Sequence, residues 1–452
     1  MLLAGLARDG GLYVPETWPT LSPETIAGLA GKPFADVAVE VIHPFMGDTI
    51  SRAELRAMTA DAYGRFGHKA VTPLVQVAPN RWILELFHGP TLAFKDVAMQ
   101  LLARLMDRVL AGLGQRATIV GATSGDTGGA AIEAFRGSER VDVAILFPEG
   151  RVSDVQRRMM TTPKDGNVHA IAVKGNFDDC QTLVKSMFND HAFRDRVALS
   201  GVNSINWARI AGQVTYYFAA AVALGAPHRP VSFAVPTGNF GDIFAGYVAK
   251  RMGLPIERLV IASNVNDILP RTLASGTYSM RDVVATTSPS MDIQISSNFE
   301  RYLFEASGRD ADMISSMMRT LIDTRAFDLG PLKQQFTADF AASAASEDEV
   351  AAAIRRLKDE SAYVADPHTA CALVAADRAL GDGGAPQVVL STAHPAKFPD
   401  AMQAITGDRP GLPERLSSLL TDPEKITAIG NDLGEAERHI EELTRAACEG
   451  RV

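Results

Sequence analysis

The apolar positions Val97, Leu101, Leu105 and Val109 recur every four residues, and Gly112 and Gly114 close the run. This spacing predicts an amphipathic helix from Asp96 onward. Lys95 opens that helix. Its own stripe, Ala98, Met99, Leu102 and Met106, is entirely apolar, which sets an ammonium on a buried-looking face beside a helix N-terminus whose dipole repels it. Residues 1 to about 78 read as a small helical lead-in punctuated by GGLYVPETWP. From about 81 the texture changes to short apolar runs alternating with amphipathic ones. RWILELF (81–87), ATIVGA (117–122), VDVAILFP (141–148) and NVHAIAVKG (167–175) predict strands, and INWARIAGQVTYYFAAAVAL (205–224) a long helix. A second series follows with VSFAVP (231–236), RLVIAS (258–263) and PQVVLS (386–391).

Strands alternating with helices imply an α/β fold of two lobes, each a mostly parallel sheet flanked by helices. The break falls near GAPHRP (225–230), which divides the chain into an N-terminal region (1–80), a first lobe (81–228) and a second lobe (229–452). The Ala-, Asp- and Glu-rich stretch from about 296 to 360 reads as a helical insertion without strands, and the tail from 411 as charged surface helices.

Two glycine loops join a predicted strand to a predicted helix: TSGDTGG (123–129) and TGNFGD (237–242). Each sets glycines and hydroxyl or amide side chains where backbone N–H groups converge on a helix N-terminus, an arrangement that suits anions, phosphate in particular. Neither has the Gly-Lys-Ser/Thr ending of a nucleotide P-loop, and neither matches a dinucleotide fingerprint. One such loop can be a purely steric turn; two in one chain suggest two anionic groups, or an anion and a carboxylate. A lysine buried at a helix N-terminus has a depressed pKa, and a neutral amine is what a Schiff-base lysine requires. The plainer reading is a lysine that snorkels to solvent.

With 452 residues, 46% hydrophobic, the chain can build a large core over more than one domain. Its balance of 44 basic against 53 acidic residues, a formal charge of -9, argues against nucleic acid or a polybasic membrane surface as the main partner. Cys180, Cys371 and Cys448 lie far apart without metal-ligand spacing and fit small buried residues of a reduced cytoplasmic protein. No apolar run reaches the roughly 18 residues needed to span a bilayer, and no metal site is expected. His88, His368 and His394 read as structural, Lys397 as a surface charge, and Met313, Met317 and Met318 as core.

The segments DGGLYVPE (9–16), FHGPTLAFKDVAMQ (87–100), GATSGDTGGAAIEAF (121–135), NSINWARI (203–210), PTGNFGDIFAGYVAKRMGLP (236–255), SMDIQISSNFERYL (290–303) and STAHPAKFP (391–399) occur in this order. Together they resemble threonine synthase of the longer, microbial and fungal type, within the tryptophan-synthase-like β-elimination fold group of pyridoxal phosphate enzymes. The resemblance implies that Lys95 carries the cofactor, that Gly238, Asn239, Phe240, Gly241 and Asp242 hold its phosphate, and that Thr392 meets the ring nitrogen. It also implies that Thr123, Ser124, Gly125, Asp126 and Thr127 bind the substrate carboxylate. Shorter relatives have asparagine where Asp126 stands, which makes an Asp126 contact to the ring the least direct transfer. The implied reaction takes O-phospho-L-homoserine and water to L-threonine and inorganic phosphate. The leaving phosphate then needs donors of its own, for which Asn206 and Arg209, i and i+3 on one helix, are the candidates. Members of this type tend to be monomers, with a dimer as the alternative, and carry a short leader ahead of the segment that opens this chain. The rival readings are a sibling serine or threonine dehydratase and a non-catalytic ligand-binding relative.

Overall fold

The computed structural model describes residues 2–3, 5–7, 9–381 and 384–446, so Cys448 lies outside the described residues. The strands, in chain order, are β1 (Leu74–Ala78), β2 (Arg81–Glu85), β3 (Ala117–Ala122), β4 (Val141–Pro148), β5 (Val168–Val173), β6 (Leu199–Ser200), β7 (Val231–Pro236), β8 (Ile256–Ser263), β9 (Thr277–Ser279), β10 (Ala326–Asp328), β11 (Phe340–Ala344), β12 (Gln387–Ser391) and β13 (Thr427–Ile429). They form a six-stranded sheet ordered β1-β2-β12-β7-β8-β11, a five-stranded sheet ordered β13-β5-β4-β3-β6, and a small β9–β10 pair. Within the two large sheets the β1–β2 hairpin is antiparallel and the other pairings are parallel. The two-lobed α/β reading holds. β4 shows why: all of its residues are buried, as a central parallel strand covered by helices on both faces requires.

The lobes divide the chain differently from the sequence reading at three places. β2 belongs to the six-stranded sheet, beside β12 and in a hairpin with β1, rather than to the sheet of its sequence neighbours. The supposedly strandless insertion contributes β10 and β11, and β11 (FAASA) is an edge strand beside β8. The tail contributes β13, which extends the five-stranded sheet beside β5. An apolar run looks alike in either sheet, and small or very short strands carry little periodicity, so their partners are set by distant chain.

The helix Lys95–Leu113, closed by Gly114 at φ 66°, stands between the two lobes. Val97, Leu101 and Leu105 join the core of the six-stranded lobe, while Met99, Leu102 and Met106 join the core against β3 and β4. The apolar stripe beneath Lys95 is therefore the face turned to the second core. Against this helix packs Trp207–Ala223, with Gly212 at the crossing: a Cβ there would lie 3.1 Å from the Ala98 Cα. None of the described helices is long and apolar enough to cross a membrane.

Four segments that carry the candidate chemistry leave the carboxyl ends of strands. Lys95 follows β2, the 123–129 loop follows β3, the 237–242 loop follows β7, and Thr392 follows β12. In open parallel sheets that end is where ligands bind, because loops and helix N-termini converge there. Replacing Gly212 with Val is expected to push the two central helices apart and cost about 1–3 kcal/mol, read as a lower midpoint in denaturant unfolding. An unchanged midpoint would show that the crossing has slack.

Candidate active site

Lys95 is lashed to Thr392 by backbone. Ala93 and Ala393 form an isolated antiparallel bridge, Phe94 N–H donates to the Thr392 carbonyl at 2.8 Å, and His394 N–H donates to the Leu92 carbonyl at 3.0 Å. The Lys95 side chain is buried, with Nζ donating to Asp126 Oδ2 at 3.3 Å. Burial lowers the lysine below its ordinary pKa; Asp126 opposes that shift, and the charges of Lys397 and Arg209 reinforce it. The sequence expectation of a buried amine at a helix start is met in geometry.

Asp126 opens the helix Asp126–Phe135 and is surrounded by donors. Its Oδ1 accepts from Gln156 Nε2 at 2.9 Å and pairs with Lys397 Nζ at 2.6 Å. Ser290 Oγ approaches Oδ2 at 3.4 Å. Burial alone would raise this carboxyl, but Lys397, Lys95 and Gln156 outweigh it and hold it well below the usual carboxylate range. Lys397, read from sequence as a surface charge, is 1% exposed and also donates to the Thr91 carbonyl at 2.8 Å. Its place beside Asp126 follows from the turn Pro395–Lys397 after β12, a signal visible only once β12 is set in the sheet.

The 123–129 loop is organised from within. Thr123 Oγ1 accepts from the N–H groups of Gly125 at 3.0 Å and Gly128 at 2.9 Å. Gly125 has φ 143°, and a Cβ there would meet the Gln156 amide at 2.5 Å, so the conformation and the space both demand glycine. Ser124 is exposed and Thr127 half-buried. Among the described residues, no acceptor takes the N–H of Ser124, Asp126 or Thr127.

The 237–242 loop makes a larger nest. Among the described residues, no acceptor takes the N–H groups of Gly238, Asn239, Phe240, Gly241, Asp242 or Ile243; the first bonded one is Phe244. Phe240 takes φ 61° and its ring is buried against Phe299 and Phe340, which holds this strained turn. A Cβ at Gly238 would lie 2.6 Å from the Ser290 carbonyl, so Ser290 touches both loops. Asn298 Nδ2 donates to the Asn239 carbonyl at 2.9 Å, and Ser296 Oγ to the Gly238 carbonyl at 2.7 Å, turning these carbonyls away from the nest. The Asp242 carboxylate itself points to Tyr216 and Tyr217, whose hydroxyls donate to Oδ1 at 2.5 and 2.9 Å. Burial pushes this carboxyl up to about 7 despite those hydrogen bonds. Asp242 can therefore serve an anion through its backbone and not through its side chain.

Arg209 is buried, donates from Nη1 to the Val202 carbonyl at 3.3 Å, and leaves Nε without a partner. Among the described residues it has no carboxylate partner, and burial lowers it to about 10. A buried guanidinium without a counter-charge is costly and marks a place for an anion. Asn206 stands differently. Its Oδ1 caps the helix by accepting from Ala208 N–H at 3.0 Å, and its Nδ2 donates to the carbonyls of Leu2 and Gly201 at 3.0 and 3.4 Å. With both ends committed to the protein, Asn206 shares a helix with Arg209 but not its openness. Thr392 is buried as a residue, and its hydroxyl makes no hydrogen bond to protein among the described residues. The three histidines all have structural partners: His88 with Glu85, His394 with the Ala396 N–H, and His368 between Asp366 and the Ser290 N–H.

Family models match in three consecutive blocks: "Threonine synthase N terminus" over residues 1–63, "Pyridoxal-phosphate dependent enzyme" over 66–333, and "Threonine synthase, C-terminal" over 369–440. A solved structure of PLP-bound threonine synthase from Brucella melitensis superposes with a TM-score of 0.96 at 58% identity, covering 98% of this chain and 96% of that one. Threonine synthase from Pseudomonas aeruginosa is 47% identical over 97% of this chain and 94% of its own length. The yeast threonine synthase structure gives a TM-score of 0.92 at 40% identity, covering 97% of this chain and 94% of that one.

Asp126→Asn strips two buried ammonium groups of their counter-charge and is expected to cost about 3–5 kcal/mol at neutral pH in denaturant unfolding. Because the folded carboxyl is held low, its contribution is present above the unfolded value and lost as pH falls through the folded one. The gap between native and variant proteins should therefore narrow below about pH 4. A gap independent of pH would mean that Asp126 is not ionised in the fold.

Proposed function

The chain belongs to the threonine synthase family of pyridoxal-phosphate-dependent enzymes and carries that activity, and from this premise we propose how its residues divide the conversion of O-phospho-L-homoserine and water into L-threonine and inorganic phosphate. The observation that carries the assignment is the buried Lys95 amine at a helix start after β2, with its Nζ 3.3 Å from Asp126 Oδ2. The residues fit the cofactor on their own terms. The 238–243 nest offers unspent N–H donors at a helix N-terminus for a phosphate, Thr392 offers an unpartnered hydroxyl for a ring nitrogen, and Lys95 offers the amine. Pyridoxal 5′-phosphate, when bound, supplies an aldehyde that condenses with amines and a ring that draws electrons from the attached carbon.

Each residue then has one task. Lys95 would be the amine that holds the cofactor, and once displaced by the substrate amine it would take the proton from Cα; a second proton leaves Cβ as the phosphate departs from Cγ, Cγ is protonated, water adds at Cβ and Cα regains its proton. Burial suits it to both roles, because the neutral form is the reactive one. Thr123 shapes its loop, and the N–H groups of Ser124, Asp126 and Thr127, with the Ser124 and Thr127 hydroxyls, bind the substrate carboxylate. Gly238, Asn239, Phe240, Gly241 and Asp242 hold the cofactor phosphate through backbone. Thr392 meets the ring nitrogen with a neutral hydroxyl, which leaves the ring a mild electron acceptor. Arg209 receives the leaving phosphate, supported by its unmet buried charge. Asn206 is better placed to hold the helix that carries Arg209 than to touch the phosphate. The same reading puts the enzyme in the cytoplasm as a monomer, in keeping with the buried, unpaired thiols of Cys180 and Cys371.

The test is a phosphate-release assay with O-phospho-L-homoserine, with the amino-acid product identified by mass. Phosphate and threonine should appear one for one and vanish in Lys95→Ala. Phosphate with 2-oxobutyrate would instead indicate elimination without water addition, and no turnover with cofactor bound would indicate a non-catalytic relative. Arg209→Met should retain the cofactor yet lose about 10- to 100-fold in kcat/KM, the worth of a charged hydrogen bond. An unchanged kcat/KM would move the leaving phosphate elsewhere.

A further inference from the structure

Lys397 is a buried cation of the site to which the reaction chemistry gives no task. It is 1% exposed, and its Nζ is held between Asp126 Oδ1 at 2.6 Å and the Thr91 carbonyl at 2.8 Å. The backbone on either side is anchored as well. The Lys397 carbonyl accepts from Ser153 Oγ at 3.2 Å, and Thr91 donates through N–H and Oγ1 to Asp96, both at 2.7 Å. Lys95 shares the same carboxylate from its other oxygen, at a looser 3.3 Å. Two ammonium groups thus compete for one carboxylate, and the closer, better-anchored one is not the reacting amine.

We propose that Lys397 is a positioning residue whose fixed positive charge takes Asp126 as its partner and leaves Lys95 free to give up its proton. The inference rests on Lys95 being the reacting amine. An opposite charge within about 4–6 Å stabilises a charged form strongly, and a like charge does the reverse. Were Lys397 absent, Asp126 would belong to Lys95 alone and hold it as an ammonium, unable to attack an aldehyde or take a proton. The groups that face Lys95 are Asp126 from its helix, Lys397 from the turn after β12, Arg209 from the adjoining helix, and Asp242 from the phosphate nest. Those facing Lys397 are Asp126, Asp96 and Lys95.

The experiment follows the rate at which pyridoxal phosphate links to the full-length apoprotein, read as the visible absorbance that appears on linkage, across pH. In Lys397→Met the pH midpoint should rise by about one unit, so that linkage below it is about 10-fold slower. Asp126→Asn should move the midpoint down, and the double variant should fall between the two. Lys397→Arg, which keeps the charge, should return the midpoint toward the native value. The double variant removes both charges together, so it can fold where the single one leaves a buried carboxylate short of a partner. A Lys397→Met midpoint equal to the native one, with only a lower melting temperature, would overturn the proposal and leave Lys397 a packing residue. A native protein that forms no linkage, or a Lys95→Ala variant that still does, would instead sink the reading of Lys95 itself.

Discussion

The buried carboxylate of Asp126 is the interaction on which the rest of the site depends. It comes from the helix after β3, in the five-stranded lobe, whereas Lys397 comes from the turn after β12 in the six-stranded one. Lys95 starts the helix that stands between the two cores, and Ser290 reaches the same carboxylate from beside the 237–242 loop. One side chain therefore ties the helices of Lys95 and Gln156, the turn of Lys397 and the segment of Ser290 to the helix after β3. Removing these charges from water costs several kcal/mol for each ion, a cost offset only when partners are close and correctly aimed. The lobes cannot shift at this point without carrying all of these partners along.

The site as a whole is arranged as a positive pocket. Lys397 and Arg209 are buried basic groups beside the buried Lys95 amine, and the carboxylates near them are unequal partners. Asp126 is held firmly ionised, but burial raises Asp96 to about 6 and Asp242 to about 7; Asp96 is bonded at both oxygens by Thr91, whereas Asp242 takes two tyrosine hydroxyls on Oδ1 and leaves Oδ2 without a partner among the described residues. Two backbone nests add unspent donors to this excess. Such a pocket is expensive empty and becomes balanced by anions, which is the physical reason that a phosphorylated cofactor and a phosphorylated amino acid suit it.

Much of this was legible in the sequence, and the reasons for the gaps are specific. Lys95 stood out because a local helical stripe contradicted its charge. The two glycine loops stand out because strand, loop and helix follow one another without interruption, over 117–135 and 231–251. Local patterns of that kind survive into the fold. Lys397 did not stand out, because its burial depends on β12 pairing with β2, from opposite ends of the chain. The misplacement of β2 has the same origin, since a parallel partner leaves no trace in nearby sequence. The spacing of Asn206 to Arg209 fits a helix face and suggests a ligand; only the structure shows that its amide is spent on the cap and the N-terminal segment.

The division between Lys95 and Lys397 also bears on why an aspartate stands at 126. A neutral amide there would leave Lys397 a buried cation without compensation, while an aspartate without Lys397 would hold Lys95 protonated. Each residue is acceptable only with the other present, so the two must change together. The Thr91 carbonyl and the Asp96 carboxylate complete the arrangement by fixing where Lys397 ends. Proton affinity at the Lys95 amine thus follows first from burial and then from charged side chains drawn from segments far apart in sequence, Asp126 against Lys397 and Arg209, brought together where the strands of the two sheets end.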